Sequence, residues 1–436
     1  MVSARMPQSH LESIDAEAWP GVATVPAGRA TRLRARHAEA VFARACAKAG
    51  IELDPAAGAK IVVARPEVFA RIADSGWVGL AEGFMAGEWS ATSTDALVDA
   101  LESLIRGGYR PKARPAVQAG SHAAASGDVP PELVQLYAGD GMSGFAGHFA
   151  TGVPTKERVA VTSHVPGAGR GGAPATHFVD VTTIGAPLDA ERGDLAHAQA
   201  RSVEMLLEAA RVGSGTHLAE YPASGGAIAI EAARRGATVD SFAADAAAAG
   251  AIRERVTFAG VSGSAIRVAQ EGQQRRGSYD AAVSVERLEA LAPREKAGYL
   301  AGLGALIHPG GRIALQTIMR TPTYSASADA ALDSLRAYVW AGLSFATPDE
   351  LATLVDRRTE LRIIAQSHAP EHVAHSLRLQ RQTFDAHLRE AAADGFDAVY
   401  RRLWQWQFAL REALARAGML DLVHVTLVPR TRRGRR

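Results

Sequence analysis

From residue 194 onward the chain alternates short apolar segments with helix-like segments, and this alternation limits the fold more than any other feature. Residues 279–285 and 312–318 are apolar along most of their length, which is typical of strands buried on both faces. Residues 227–235 and 293–307 have the length and composition of helices that connect such strands. The alternation therefore predicts a mostly parallel sheet with helices on both faces, an α/β fold.

Changes in composition along the chain predict where its domains begin and end. Residues 1–106 combine helical periodicity with a short strand, so we expect a small N-terminal α+β domain there. Residues 107–190 are rich in Gly and Pro, which predicts a linker or a lid. The α/β domain then covers residues 191–430, and residues 431–436 form a basic tail.

Composition and charge exclude several classes of protein. Hydrophobic residues make up 47% of the chain, so it has enough apolar material to fold. The net charge of +2 argues against a nucleic-acid partner, and the single cysteine, Cys46, rules out internal disulfides and cysteine-based metal clusters, so we predict no metal site. No run of about 20 apolar residues occurs. We predict a cytoplasmic location, with peripheral attachment to the inner membrane face as the alternative.

Several segments, in the same order along the chain, carry a resemblance to one family. Residues 215–236 resemble the first strand and turn of class I S-adenosylmethionine (SAM) methyltransferases. Within that class the chain resembles the cyclopropane-fatty-acyl-phospholipid synthases, which include mycolic acid cyclopropane synthases and actinobacterial fatty-acid C-methyltransferases. The other matching segments are Glu82–Trp89, Val283–Glu289, Leu306–Ile318 and Leu420–Val423. The resemblance implies a SAM-methyltransferase-like (Rossmann-like) domain and one-carbon transfer from SAM to a lipid acyl chain.

The loop that holds SAM in this family departs from the family pattern here. The family reads Glu-x-Gly-x-Gly-Trp-Gly, and the aligned residues run Glu220-Tyr-Pro-Ala-Ser-Gly-Gly226. Glycines let the backbone turn tightly and approach a ligand, whereas proline fixes φ and lacks an N–H. The candidate cofactor-binding residues are Glu220, Ser224, Gly225, Gly226 and Asp245, although Gly225 and Gly226 could serve only to turn the chain and Asp245 only to cap a helix. We therefore expect SAM to bind weakly or not at all.

The catalytic segments are also incomplete. The family holds a bicarbonate ion, which acts as the base, with residues that include a cysteine and a tyrosine. The aligned residues 162–184 contain no cysteine, and Val373 stands at the tyrosine position, so we also doubt bicarbonate binding. Glu289 is the matching residue and the candidate catalytic carboxylate, with a solvated or helix-capping acid as the alternative. His164 and His177 are either replacement bases or ordinary loop histidines.

Together these residues predict a divergent family member linked to lipid and fatty-acid modification. Alanine and proline replace polar groups and glycines at the positions that carry chemistry, so we favour a catalytically impaired protein that acts as a lipid-binding or partner subunit. The alternative is an active SAM-dependent C-methyltransferase that adds a methyl or methylene group to the double bond of an unsaturated phospholipid acyl chain. A different ligand in the remodelled crevice is a third possibility. Expected partners are phospholipid acyl chains, a membrane surface or another protein.

Overall fold

The computed structural model describes residues 10–53, 60–113, 129–170, 173–191, 193–261, 265–274 and 276–430, so the basic tail lies outside the described residues. The helices are α1 Pro20–Ala23, α2 Arg29–Lys48, α3 Glu67–Ser75, α4 Trp77–Met85, α5 Thr94–Arg106, α6 Pro131–Gln135, α7 Asp194–Ala209, α8 Ala227–Arg234, α9 Ala246–Phe258, α10 Pro293–Leu306, α11 Ala326–Tyr338, α12 Pro348–Arg358, α13 Pro370–Ala386, α14 Leu388–Ala393 and α15 Ala398–Arg416. The strands are β1 Ile61–Val63, β2 Trp89–Ala91, β3 Thr155–Thr162, β4 Thr176–Thr183, β5 His217–Glu220, β6 Thr238–Ala243, β7 Ile266–Gln270, β8 Tyr279–Val285, β9 Ile307–Arg320, β10 Leu361–Ala369 and β11 Leu420–Pro429.

These elements form two compact units that are each assembled from separate stretches of the chain. The helical unit comprises Met1–Gly127, Thr323–Ala341 and Phe384–Met419, and the sheet unit comprises the rest. The expected boundaries near residues 106 and 190 differ from this division. The difference arises because α11 and α15, which lie late in the sequence, pack against α4 and α5.

The helical unit is built around a buried ion pair. The Arg71 guanidinium, which is fully buried, donates to the Glu88 carboxylate at 2.9 Å. The same guanidinium donates to the backbone carbonyls of Gly21 at 2.8 Å and Val22 at 2.6 Å, and so fastens α1 to α3. Because Arg71 and Glu88 are both buried and neutralise each other, removing either side chain would leave an uncompensated charge in the interior.

The sheet unit holds a nine-stranded sheet in the order β3-β4-β10-β11-β9-β8-β5-β6-β7. Only β3 and β11 run antiparallel to their neighbours, so the predicted mostly parallel sheet is confirmed. Leu218 joins one apolar cluster and Ala219 the other, since successive strand residues point to opposite faces. Residues of α7, α8 and α9 fill the first cluster, and residues of α10 and α12 fill the second.

Two strands occupy part of the segment that the sequence predicts to be a linker or lid. β3 and β4 form a hairpin, and β4 pairs in parallel with β10. Valines alternate with polar residues in this hairpin, which favours strands. Val161, Val179 and Val181 share one face and pack against the second apolar cluster. The glycines and prolines lie mainly in the connections rather than in the strands. Among the described helices, none is long and apolar enough to cross a membrane.

Candidate functional site

The carboxyl ends of β5 and β8 lie side by side where the strand order changes direction. From β5 the chain builds outward through β6 and β7, and it then returns to place β8 on the other side of β5. Open α/β sheets bind their ligands at such a point. The loop that follows β5 turns through Gly225 (φ 76°) and Gly226 (φ 85°), two left-handed positions that favour glycine, before α8 begins at Ala227.

Glu220, the last residue of β5, is fully buried, and both its carboxylate oxygens are held by the protein itself. Its Oε1 accepts from the backbone N–H of Ser224 at 2.9 Å and from the Ser224 hydroxyl at 2.6 Å. Its Oε2 accepts from the Ser241 hydroxyl on β6 at 2.6 Å. Burial raises the pKa of Glu220 above its usual value, although the bonds from the serines act against that rise. Glu220 and Ser224, two of the residues predicted to bind the cofactor, therefore contact each other.

A segment that we call the strap, residues 140–149, lies over this loop. A Cβ atom added to Gly225 would collide with the carbonyl oxygen of Met142. Asp140 forms an ion pair with Arg255 of α9, and Arg255 also donates to the Gly225 carbonyl at 2.6 Å. Burial acts to raise the pKa of Asp140, but the Arg255 charge and hydrogen bonds from Ser143 and Met142 hold it below its usual value.

The strap is also fastened at its other end. The backbone N–H of Ala146 donates to the Glu286 carboxylate at 2.8 Å, and the Gln316 side-chain amide donates to the Ala146 carbonyl at 2.7 Å. Gln316 lies on β9 and Glu286 directly follows β8. The strap is therefore bound to the carboxyl edge of the sheet at both ends. The sequence predicts neither the position of the strap nor the role of Arg255 in holding it.

The remaining candidate for cofactor binding, Asp245, caps a helix. Its carboxylate accepts from the backbone N–H of Ala248 at 2.8 Å, at the first turn of α9. The side chain is exposed, and β6 ends just before it in Ala243. At the end of the neighbouring strand β7, the Glu271 carboxylate accepts from the Tyr221 hydroxyl at 3.3 Å. Glu271 is a polar strand-end residue that the sequence analysis does not single out.

Glu289 is buried rather than solvated, and it caps no helix. Its carboxylate accepts from the Thr317 hydroxyl at 2.8 Å and from the backbone N–H of Ile318 at 3.0 Å, both on β9. Burial raises the pKa of Glu289 to about 7, and the nearby Glu286 carboxylate adds to the rise. A carboxyl with such a pKa can exchange a proton near neutral pH, which keeps a catalytic role open.

Three buried histidines that sequence reasoning missed lie together, one in the strap and two in the sheet unit beside it. The ring of His148 is 4.4 Å from that of His424 on β11 and 5.6 Å from that of His372 on α13, between ring centroids. His148 Nδ1 bonds to the Ser202 hydroxyl at 2.6 Å, whereas its buried Nε2 has no hydrogen-bond partner in the described part of the chain. Burial lowers the pKa of His148, and that of His424 to about 3, so both rings are neutral at physiological pH.

His164 and His177 lie at the opposite edge of the sheet. His177 stands near the start of β4, whose carboxyl end shares the edge of Glu220 because β4 runs parallel to β10, β9, β8 and β5. His164 follows the end of β3, which pairs with the start of β4. The hypothesis that these histidines replace the base of the family is therefore wrong. Val373, at the position of the family's tyrosine, is fully buried in α13.

The sequence of this chain is similar to those of known proteins. The family model for mycolic acid cyclopropane synthetase matches residues 184–425, more than half of the chain. The chain belongs to this family. A curated relative, tuberculostearic acid methyltransferase UfaA1 of Mycobacterium tuberculosis, is 28% identical over 450 aligned residues, which cover 97% of each chain. The mycolic acid cyclopropane synthetase family is of the SAM-methyltransferase type and is linked to lipid modification.

Solved structures agree on the fold. Coclaurine N-methyltransferase, solved with N-methylheliamine and S-adenosylhomocysteine, aligns with a TM-score of 0.56 and 11% identity over 80% of this chain and 98% of its own. The cyclopropane synthase MmaA2 of Mycobacterium tuberculosis aligns with a TM-score of 0.49 and 19% identity over 55% of this chain and 87% of its own. The first likeness shows that the chain has a SAM-methyltransferase fold.

The residues of the loop do not fit the glycine-lined cradle that this family offers to SAM. A side chain at position 225, where the family has tryptophan, would meet the Met142 carbonyl, and the cradle glycines are replaced by Pro222 and Ser224. Ser224 and Ser241 use both oxygens of Glu220, and Pro222 contributes no N–H. A buried group that already has its partners gains little from a ligand that must displace them.

Proposed function

We propose that this chain is a non-catalytic member of the mycolic acid cyclopropane synthetase family, which takes part in lipid modification by binding lipid or a partner enzyme. It keeps the sheet of a SAM methyltransferase, but it does not bind SAM tightly enough to turn over. Its contribution is then the surface that the fold supplies rather than methyl transfer.

The observation that carries this proposal is the closed loop after β5. Met142 lies against Gly225, and the Asp140–Arg255 ion pair holds it there. A ligand that entered would have to displace the strap and also compete with Ser224 for Glu220. A micromolar dissociation constant corresponds to a binding free energy of about −8 kcal/mol. Each displaced hydrogen bond to a charged group costs about 1.5–3 kcal/mol, so a few such losses remove most of that binding free energy.

The lack of the family's catalytic groups supports the same conclusion. The only cysteine of the chain, Cys46, is buried in α2 of the helical unit. Val373 offers no hydroxyl at the tyrosine position. Glu289 bonds to the backbone and side chain of β9, so a bicarbonate ion would meet one matching residue without its usual neighbours.

The experiment is a calorimetric titration of the purified full-length chain with SAM and, separately, with S-adenosylhomocysteine. We expect no saturable heat up to millimolar ligand. A dissociation constant in the low micromolar range, about −8 kcal/mol, would overturn the proposal. A parallel assay follows methyl transfer from labelled SAM to vesicles of unsaturated phospholipid, for which we expect no label in the lipid.

A second candidate function, active C-methyl transfer, is favoured by the buried carboxyl of Glu289. Burial raises its pKa to about 7, so it can take up a proton near neutral pH. The substrate would be the double bond of an unsaturated phospholipid acyl chain, and the curated relative is named a methyltransferase. Tight SAM binding together with label in the lipid would favour this function over the first.

A further inference from the structure

We propose that two neighbouring loops, residues 150–154 and 184–188, insert into a neutral phospholipid bilayer and dock the sheet unit on it. We call them the loop pair. The inference rests on the lipid-binding part of the proposed function and deepens it by naming the surface and the kind of lipid. Val153 and Leu188, the side chains that insert, lie outside the cofactor loop, whereas the Gly185 carbonyl lies 2.9 Å from Nε2 of His372 in the histidine cluster.

The loop pair carries no charge and exposes large apolar side chains. Its sequences are Ala-Thr-Gly-Val-Pro and Ile-Gly-Ala-Pro-Leu. Val153 is 97% exposed and Leu188 is 63% exposed, although both are large apolar residues. The backbone N–H of Leu188 donates to the Ala150 carbonyl at 2.9 Å, so the two loops lie against each other. Single exposed apolar residues are common, whereas contiguous apolar surface marks an interaction site, so the inference depends on the two loops lying against each other.

The position of the loop pair links it to the candidate site. β3 begins at Thr155 and β4 ends at Thr183, and these two residues pair directly. Both loops therefore leave the sheet together at its carboxyl edge, the edge that holds Glu220. Phe149, which precedes the loop pair, packs its ring 5.9 Å from that of His372 in the histidine cluster. Lipid that meets the loop pair is thus adjacent to the histidine cluster.

The size and charge of this surface favour a bilayer over a protein. A stable protein interface needs about 20–30 residues on each side, whereas the loop pair offers ten residues at the tips of two turns. A bilayer binds apolar side chains at the level of its headgroups in proportion to the apolar area that is buried, so two such side chains give weak, reversible attachment. In residues 150–158 and 184–192 the sequence has three basic and three acidic residues, so this edge has no excess of positive charge. We therefore expect apolar insertion, with little dependence on anionic lipid or salt.

The test is co-sedimentation of the full-length chain with phosphatidylcholine vesicles. The variant Val153→Asp with Leu188→Asp should lose about tenfold or more of the partition coefficient, because it places charge where apolar side chains enter the bilayer. The matched control is Phe258→Asp. Phe258 is 95% exposed and ends α9, which leads to the start of β7 at the opposite edge of the sheet. This control should bind vesicles like the unmodified chain.

A second pair of substitutions, Val153→Ser with Leu188→Ser, removes apolar surface without adding charge and should also weaken binding. Circular dichroism checks that every variant is folded. The proposal is overturned if the unmodified chain does not sediment with the vesicles, if Phe258→Asp loses as much binding as the loop variants, or if binding requires anionic lipid and disappears at high salt. Tight SAM binding in the calorimetric titration would overturn the non-catalytic proposal while leaving the loop pair untouched, so the two failures are distinguishable.

Discussion

The Ser241→Ala substitution tests whether Glu220 is an ionised carboxylate that the protein itself satisfies. The Ser241 hydroxyl and Glu220 Oε2 are 2.6 Å apart, and both residues are fully buried. Removing a hydrogen bond to a buried charged group costs about 1.5–3 kcal/mol, and the change from serine to alanine leaves almost no cavity. We therefore expect the free energy of unfolding of the sheet unit to fall by about 2 kcal/mol at pH 8.

The pH dependence gives the sharper result. Burial already raises the folded-state pKa of Glu220 above 4.5. A carboxyl with a raised folded-state pKa favours the folded state most at low pH, and that stability is lost as the pH rises through the folded-state pKa. Ser241→Ala removes a bond that lowers this pKa, so the pKa rises further. The substitution should therefore cost more at pH 8 than at pH 5.

The assay is urea denaturation followed by far-UV circular dichroism at both pH values. Tryptophan fluorescence alone is insufficient, because all six tryptophans lie in the helical unit. The matched control is Ser284→Ala on β8, since the hydroxyl of Ser284 lies 2.6 Å from the neutral Tyr299 hydroxyl. We expect the control to cost about 1 kcal/mol at either pH. An equal cost of Ser241→Ala at pH 5 and pH 8 would refute the conclusion that Glu220 is ionised and held by the serines.

Two further predictions concern the closed loop and the buried acid. Pro222→Gly with Ser224→Gly should leave the protein folded without SAM binding, because Met142 still lies against the loop. Adding Asp140→Ala should free the Met142 end of the strap, while the Ala146 end stays bound, and give measurable binding by calorimetry. Binding by the double variant alone, or none by the triple variant, would contradict the role assigned to the strap. Glu289→Gln should lose less stability in urea between pH 5 and pH 8 than the unmodified chain, because burial raises the pKa of that carboxyl to about 7; an unchanged pH dependence would count against this.

Much of the sheet unit is predictable from the sequence because its signals are local. The apolar segments that become β8 and β9 are read from residues within one strand, and the alternation with helices predicts their parallel arrangement. Asp245 is recognisable as a helix cap since its partner, Ala248, is three residues away. The family is likewise recognisable from short segments in order, and the family model confirms it.

The features that decide the state of the candidate site are not local. Met142 lies more than 80 positions before Gly225 in the chain, and Arg255 reaches back across 115 positions to Asp140. His148, His372 and His424 come from three separate parts of the chain. The β3–β4 hairpin joins the sheet only because β4 pairs with β10, which lies far away in the sequence. The sequence by itself determines the strands, their caps and the family, because those depend on residues a few positions apart. Only the tertiary structure decides which distant groups meet, since burial and hydrogen-bond partners depend on how the elements pack.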